Sequence, residues 1–266
     1  MVVDGYPSYG AAGTSVPSGS GLRSDAMVVP TSSDPLPPPP VVPRWGLGDA
    51  LWVWFAALAV AVVAGGLLVG LRGSVGPGAW DIIVGTVAQN GAIVGFVAIV
   101  SRAKGSGSLR RDLGFVVHAG DWAWAPIGAG ISVATSLAMV PITSLLRHPP
   151  EQEVVRIVGD SRGLAALLAA LAVTFVAPLG EELLARGLVL RSLQRRFEPW
   201  VAVLLSSLLF ALVHPLLDPR AILAVVPLLV LSLVSGIQAV RTGDLSRSIW
   251  LHVGFNALAA IGLVLR

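Results

Sequence analysis

The chain has 266 residues, of which 55% are apolar and only 12% are charged. This apolar share, together with a mean hydropathy of +0.80, exceeds that of ordinary soluble domains and indicates an integral membrane protein. The formal net charge of +3 is too small to indicate a nucleic-acid partner, and the absence of cysteine excludes disulfides, thiolate chemistry and cysteine-based metal sites.

The first 48 residues differ in composition from the rest and are rich in Gly, Ser and Pro, with the run DPLPPPPVVP at residues 34–43. Such a segment buries too little apolar surface to order itself, which predicts a disordered cytosolic tail over residues 1–48. A Pro-rich ligand for a partner domain is the alternative. Because no apolar core flanked by basic residues is present, we do not expect a cleaved signal peptide.

From Leu51 onward the chain is a succession of apolar segments, each near the ~20 residues that cross a bilayer as a helix. We place about seven spans, at residues 51–71, 81–101, 122–146, 164–190, 199–217, 221–240 and 248–265. They predict an all-α fold, a polytopic transmembrane helical bundle in contact with membrane lipid. Two GxxxG patterns, Gly66–Gly70 and Gly91–Gly95, predict close helix approach and a homodimer through these helices.

Basic residues collect in every second connection between the predicted spans. The even connections hold Arg102, Lys104, Arg110, Arg111, Arg191, Arg195, Arg196, Arg241 and Arg247. The odd connections hold Arg72, Arg147, Arg156, Arg162 and Arg220. The positive-inside rule then predicts a multi-pass protein of the cell membrane with a cytosolic N-terminus and the C-terminus outside.

Charge reappears inside the fourth apolar segment, where APLGEELLARG at residues 177–187 carries Glu181, Glu182 and Arg186. Glu182 and Arg186 are four residues apart, which places them on one helical face and predicts an ion pair. Glu181 is turned about 100° away from that pair and needs another partner. Ionisable groups inside a membrane are functional by default, and the alternative is a charged helix end at the cytosolic interface.

Two histidines lie in later apolar segments, each with a partner one helical turn away. His214 closes SSLLFALVH, four residues after Phe210, and His252 opens HVGFN, four residues before Asn256. The spacing projects both members of each pair toward one side of the helix. Because His252 lies only ~10 Å of helix past Leu245, its helix must tilt, start inside the membrane, or follow a connection that dips inward.

The residue types in these segments are suited to the activation of water. Glu181, with His214 sharing the proton, has the chemistry of a general base. His252 and Asn256 can donate hydrogen bonds to a developing oxyanion. Alternatively, Glu181, His214 and His252 bind zinc and leave a fourth position for water; a metal-free glutamate mechanism is equally compatible. No HExxH motif occurs, so the arrangement of ordinary soluble zinc proteases is absent.

Three ordered motifs, EELLARG (residues 181–187), FALVH (210–214) and HVGFN (252–256), resemble the CPBP family of intramembrane proteases, which contains CAAX prenyl endopeptidases and bacteriocin-processing or self-immunity proteins. The resemblance covers about residues 164–265 and no motif position departs from the pattern, which implies an intact site. It implies that Glu181 activates water and that Glu182 and Arg186 support it. Phe210 and His214 would then be the second motif, and His252 and Asn256 the third.

Composition and the resemblance together divide the chain into a tail over 1–48, N-terminal transmembrane helices over 49–160 and a catalytic transmembrane region over 161–266, of which only the last carries the resemblance. It implies an intramembrane endopeptidase, a glutamate-dependent hydrolase or a metalloprotease, that cleaves a protein or peptide substrate inside or at the cytosolic edge of the membrane. The alternative is a non-enzymatic immunity scaffold or a proton-coupled transporter that uses the same buried Glu and His groups as a relay. The inverted repeats expected of many transporters are not visible.

Overall fold

Apolar helices make up most of the described chain, and no strand occurs in its described ranges. The structure, a computed structural model, describes residues 44–73 and 77–264. The predicted tail therefore lies outside the described residues as far as position 43, and the chain is already helical from Leu47. The all-α fold predicted from the sequence is confirmed.

The described ranges contain nine helices, numbered here in chain order. They are α1 (Leu47–Arg72), α2 (Ala79–Lys104), α3 (Leu109–Leu113), α4 (Trp124–Ser144), α5 (Glu153–Asp160), α6 (Gly163–Gln194), α7 (Pro199–Leu217), α8 (Val225–Thr242) and α9 (Ser246–Val264). Short 3₁₀ turns, Ala119–Ala123 and Pro219–Ala224, lead into α4 and α8.

Six of these helices are long and apolar enough to cross a membrane, namely α1, α2, α4, α6, α7 and α8, where α4 and α8 include their 3₁₀ turns. They correspond to the first six predicted spans. The seventh predicted span corresponds to α9. The chain is thus a multi-pass membrane protein, and its many lipid-compatible apolar side chains remain exposed, as on α1, where Leu71 is 86% exposed.

Helix α6 is continuous over 32 residues but contains two π-helical stretches. Residues Ala172–Val176 and Leu183–Leu190 are π-helical, and the α-helical stretch between them is Ala177–Glu182. Pro178 has no backbone N–H to donate to the preceding turn, which interrupts regular α-helical bonding at this point. Such wide turns often occur at functional sites, and here they flank the two glutamates.

The closest helix contact in the described chain joins α4 to α9 at two glycines. A β-carbon added at Gly128 would lie 1.9 Å from the Leu251 carbonyl oxygen, and one added at Gly254 would lie 1.8 Å from that of Ala125. The predicted approach at the GxxxG glycines is wrong within the chain, because the space beside Gly66, Gly70, Gly91 and Gly95 is open. The close contact instead occurs where two helices with single glycines cross.

Helix α9 begins inside the protein. The Leu245 backbone N–H donates to the Gly114 carbonyl at 2.9 Å, and the Ser246 hydroxyl accepts from the His118 backbone N–H at 2.8 Å. Leu245 and Ser246 are both fully buried. The connection before α9 therefore dips inward beneath residues 109–118, which is how His252 reaches the interior after so few residues.

Candidate active site

Glu182 is fully buried on α6 and is paired on two sides. Its Oε1 atom lies 3.0 Å from Nη1 of Arg186 and 2.9 Å from Nδ1 of His252. Because a carboxylate only accepts, the His252 Nδ1–H donates to it. The ion pair expected from the four-residue spacing is thus present, and Glu182 also fixes the orientation of the His252 ring.

Arg186 is 1% exposed and is held by more than the glutamate. Its Nη2 donates to the Ser232 carbonyl at 3.0 Å and to the Ser232 hydroxyl at 2.8 Å, and its guanidinium carbon lies 4.8 Å from the centre of the Phe210 ring. A buried charge is tolerated where hydrogen bonds satisfy its donors. Ser232 was not identified from the sequence. The only signal for it was its polar side chain within a mostly apolar segment.

Glu181 has different surroundings from its neighbour. Its side chain is 31% exposed and lines a cavity, and its Oε2 lies 3.6 Å from Nε2 of His252. His252 is therefore placed between the two carboxylates, with one ring nitrogen toward each. The rotation of about 100° per residue separates the adjacent glutamates into one that faces the protein and one that faces open space.

His214 is oriented by its own helix. Its Nδ1 lies 2.8 Å from the Phe210 carbonyl, which can only accept, so Nδ1 carries the hydrogen and Nε2 of the neutral ring is an acceptor. The Phe210 ring packs edge-on against both imidazoles, with ring centres 5.1 Å from His214 and 5.7 Å from His252. Phe210 thus fixes both histidines by packing.

Asn256 is tied to α6. Its Nδ2 donates to the Val173 carbonyl at 3.0 Å, within the first π-helical stretch. An amide nitrogen carries two hydrogens, so one N–H remains for another acceptor. In this π-helical stretch, a backbone carbonyl of α6 therefore accepts a hydrogen bond from a side chain of a different helix, α9.

The cavity has a volume of about 260 Å³ and brings together Glu181, His214, His252 and Asn256. Polar residues missed by the sequence reasoning also line it: Thr86, Gln89 and Asn90 of α2, and Gln152 next to α5. The signal for the α2 group was a run of amides and a threonine, TVAQN, inside an apolar segment. The sequence did not show that this run belongs to the site, because only tertiary packing places α2 against α6.

Asn90 packs against Gly180, the residue before Glu181. It is 5% exposed, its Nδ2 donates to the Thr86 carbonyl at 2.9 Å, and a β-carbon at Gly180 would lie 2.3 Å from its Oδ1. The absence of a side chain at Gly180 therefore lets α2 approach α6 next to the glutamates.

Residues 163–258 match the family described as type II CAAX prenyl endopeptidase Rce1-like. All seven residues singled out from the three motifs fall within this match. Over this region the chain is similar to the Rce1-like family. The resemblance to CPBP-type proteases is thereby confirmed, and the Rce1-like region contains most of α6 to α9.

The chain is also similar to an uncharacterized 24.3 kDa protein of Escherichia coli, with 27% identity over 118 residues. The alignment covers 44% of this chain and 54% of that protein, so the chain spans about half the length of the curated relative it matches. No solved structure matches the chain.

The zinc alternative predicts that Glu181, His214 and His252 hold the ion. Glu181, His214 and His252 share the cavity, but within residues 44–73 and 77–264 no three His, Asp or Glu side chains are grouped as metal ligands. His252 donates Nδ1–H to Glu182 and His214 donates Nδ1–H to the Phe210 carbonyl, which leaves Nε2 of each ring free, as in many zinc-binding histidines. The zinc alternative therefore stays a prediction.

Proposed function

We propose that the chain is an intramembrane endopeptidase that hydrolyses a peptide bond of a membrane-associated substrate, of CAAX type or bacteriocin-like. The observation that carries the proposal is the division of labour between adjacent glutamates: Glu182 is buried and paired, whereas Glu181 faces the cavity. Membership of the Rce1-like region in a family of endopeptidases supports the same reaction class.

Glu181 acts as the general base in this mechanism. It takes a proton from a water in the cavity as the water oxygen attacks the substrate carbonyl carbon, and it later gives that proton to the leaving amine nitrogen as the C–N bond breaks. His214 supports the step through Nε2, the ring nitrogen left free to accept when Nδ1–H donates to Phe210. The proton that Glu181 takes from water is thus passed to the amine, and Glu181 is deprotonated again at the end of the cycle.

The negative oxygen of the tetrahedral intermediate also needs hydrogen-bond donors. Asn256 has a second amide N–H beyond the one given to Val173, and His252 donates from Nε2 when the ring is protonated. Donors fixed in advance stabilise charge that appears only in the transition state. Glu182 and Arg186 act through position, because they hold His252 and so set where its Nε2 lies.

The proposal is tested by comparing membrane-protein termini by mass spectrometry in cells that lack the protein, complemented with wild type, Glu181→Gln or Glu198→Gln at matched expression. Glu198 is an exposed carboxylate between α6 and α7 and provides the control. We expect new termini with wild type and Glu198→Gln and none with Glu181→Gln, and these termini also identify the substrate.

Identical termini in all strains would contradict the proposal and favour an immunity scaffold or a proton-coupled transporter. Cleavage by the purified protein is also expected to persist in a strong zinc chelator. Loss of cleavage on chelation, with recovery on added zinc, would instead support the metalloprotease alternative.

A further inference from the structure

Helix α2 carries three polar residues on one side of an otherwise apolar span. Thr86 is separated from Gln89 by three residues and from Asn90 by four, which places all three on one helical face. This face lines the cavity that holds Glu181. Helix α2 lies outside residues 163–258, so its polar face is a feature of this chain that the Rce1-like match does not cover.

Hydrogen bonding on this face is incomplete. The Asn90 Nδ2 donates to the Thr86 carbonyl at 2.9 Å, but the Asn90 Oδ1 is buried and has no partner among the described residues. The Gln89 carboxamide is half-buried and makes no hydrogen bond within residues 44–73 and 77–264. Unpaired amides are costly where water is scarce. The α2 face is therefore suited to a ligand that brings its own donors and acceptors.

Packing fixes the rotation of α2. On neighbouring faces Ile93 and Val97 are buried in the main apolar cluster, and Asn90 packs against Gly180 of α6. Polar side chains in membrane helices often join neighbouring helices through hydrogen bonds. Gln89 makes no such bond to any described helix, so its carboxamide is held at the cavity wall without a structural partner.

A peptide in the cavity supplies the groups that this wall lacks. In an extended chain the N–H and C=O of one residue point to the same side, and both groups need partners inside a membrane. A carboxamide has an acceptor oxygen and two N–H donors, so it can bind both groups of a single residue. A helical segment offers neither group, because its residues already use them within the helix.

We propose that Gln89 binds the substrate backbone: its Oε1 accepts from the N–H, and its Nε2 donates to the C=O, of one substrate residue close to the scissile bond. The ligand is thus an unwound peptide segment, held extended along α2 with the neighbouring carbonyl presented to Glu181. This inference rests on the proposed function and assigns a substrate-binding wall to it.

The test uses the purified full-length protein in lipid vesicles and a peptide that spans a new terminus found by the mass-spectrometric comparison. Gln89→Met keeps the length of the side chain and removes both hydrogen-bonding groups. Val87→Met, on the exposed face of α2, is the matched control. A series of peptides carries a backbone ester in place of one amide at each position beside the scissile bond, which itself stays an amide. Each ester removes a single N–H.

We expect Gln89→Met to raise KM by about tenfold or more with little change in kcat, because these hydrogen bonds are made in the ground state and in the transition state alike. One ester should raise KM for wild type and for Val87→Met but not for Gln89→Met, so the two changes are non-additive. The melting temperature of Gln89→Met should be unchanged or higher, since the variant loses no hydrogen bond within the described chain.

Additive effects of the ester and of Gln89→Met on KM would overturn the inference. So would an unchanged KM for the folded variant. A lower melting temperature of Gln89→Met without coupling to any ester would assign the amide to the fold instead. An ester series without effect on wild type would overturn the contact independently of how the variant folds.

The outcome for the proposed function is separate. Cleavage by wild type that does not depend on Gln89 would contradict only the α2 contact and leave the hydrolysis by Glu181 intact. The absence of new termini in every strain would contradict the proposed function, and the inference would fall with it.

Discussion

At the scale of single residues, the site depends on adjacent glutamates that occupy different environments. The sequence predicted the pair of Glu182 with Arg186, because four residues are close to one helical turn. It did not predict that His252 and Ser232 complete this cluster. Both come from helices distant in the chain, and no local spacing rule connects them to α6.

Replacing Glu182 with Gln should destabilise the fold more than replacing Glu181 with Gln. The change at Glu182 leaves the Arg186 charge buried without its counter-ion, and loss of one partner of a buried pair costs about 3–5 kcal/mol. Among the residues the structure describes, Glu181 has one ion-pair partner, His252, at 3.6 Å. The measurement is the unfolding free energy of each purified variant in detergent, and equal losses would contradict the division between the glutamates.

Replacing Asn256 with Ala should lower the cleavage rate by about 10²–10³-fold, the cost of one oxyanion donor. The lost hydrogen bond to Val173 should cost only about 1 kcal/mol of stability, so the variant should remain folded. The rate constant for cleavage is measured alongside thermal unfolding. A folded variant with an unchanged rate would exclude Asn256 as an oxyanion donor and would favour a proton relay, in which a neutral amide has little use.

At the scale of helices, backbone contact between α4 and α9 positions the third motif. Gly254 lies between His252 and Asn256, and its missing side chain lets Ala125 approach. The sequence drew attention to the wrong glycines because GxxxG is a local pattern. A crossing of two helices that each supply one glycine has no local pattern and is visible only in the fold.

Replacing Gly128 with Ala should destabilise the protein, since the new methyl would meet the Leu251 carbonyl on the neighbouring helix. Gly130→Ala on the same helix is the matched control, because the space beside Gly130 is open. Alanine is intrinsically about 1 kcal/mol better than glycine inside a helix, so Gly130→Ala should be neutral or stabilising. Similar melting temperatures for both variants would refute the close contact.

Stability should also depend on Asp112, which fastens α3 to the end of α2. Burial raises the pKa of this carboxyl, but hydrogen bonds from Ser101 at 2.5 Å and from the Ser106 hydroxyl at 2.6 Å outweigh it and hold the pKa below its usual range. A lowered pKa in the folded state means that the ionised group stabilises the fold above the unfolded value, near ~4. That contribution is lost as pH falls through the folded pKa.

We therefore expect wild type to be more stable than Asp112→Asn at neutral pH, with the difference shrinking below about pH 4. The unfolding free energy of both proteins is measured in detergent across this range. A difference that stays constant down to the lowest pH would show that the Asp112 charge does not contribute through its ionisation.

At the scale of the whole molecule, the bundle is packed unevenly. One end holds the main apolar cluster and the buried ion pair, and the other holds the active-site cavity. Close packing at this end supports the helices that carry the candidate site residues, and catalysis by positioned groups requires such support.

The open glycines of α1 are a place where a second copy of the chain could pack. We expect the protein to form a homodimer in membranes, with Gly66→Leu and Gly70→Leu reducing it because a large side chain prevents close helix approach. Gly65→Leu on a neighbouring face of α1 is the control. The measurement is energy transfer between labelled copies in lipid vesicles, and equal transfer for all three variants would contradict dimerisation through this face.

The sequence by itself determined that the chain is a helical membrane protein, because hydrophobic segments of about 20 residues have few other stable forms in a bilayer. It also singled out the candidate site residues, since charged and imidazole groups inside such segments are costly and stand out. The sequence already separated Glu181 from the Glu182–Arg186 pair, but only the tertiary structure decided that Glu181 lines one cavity with His214, His252 and Asn256. It also brought Asn90, Ser232 and α5 to the site, because contacts between distant segments depend on how whole helices pack and not on any spacing along the chain.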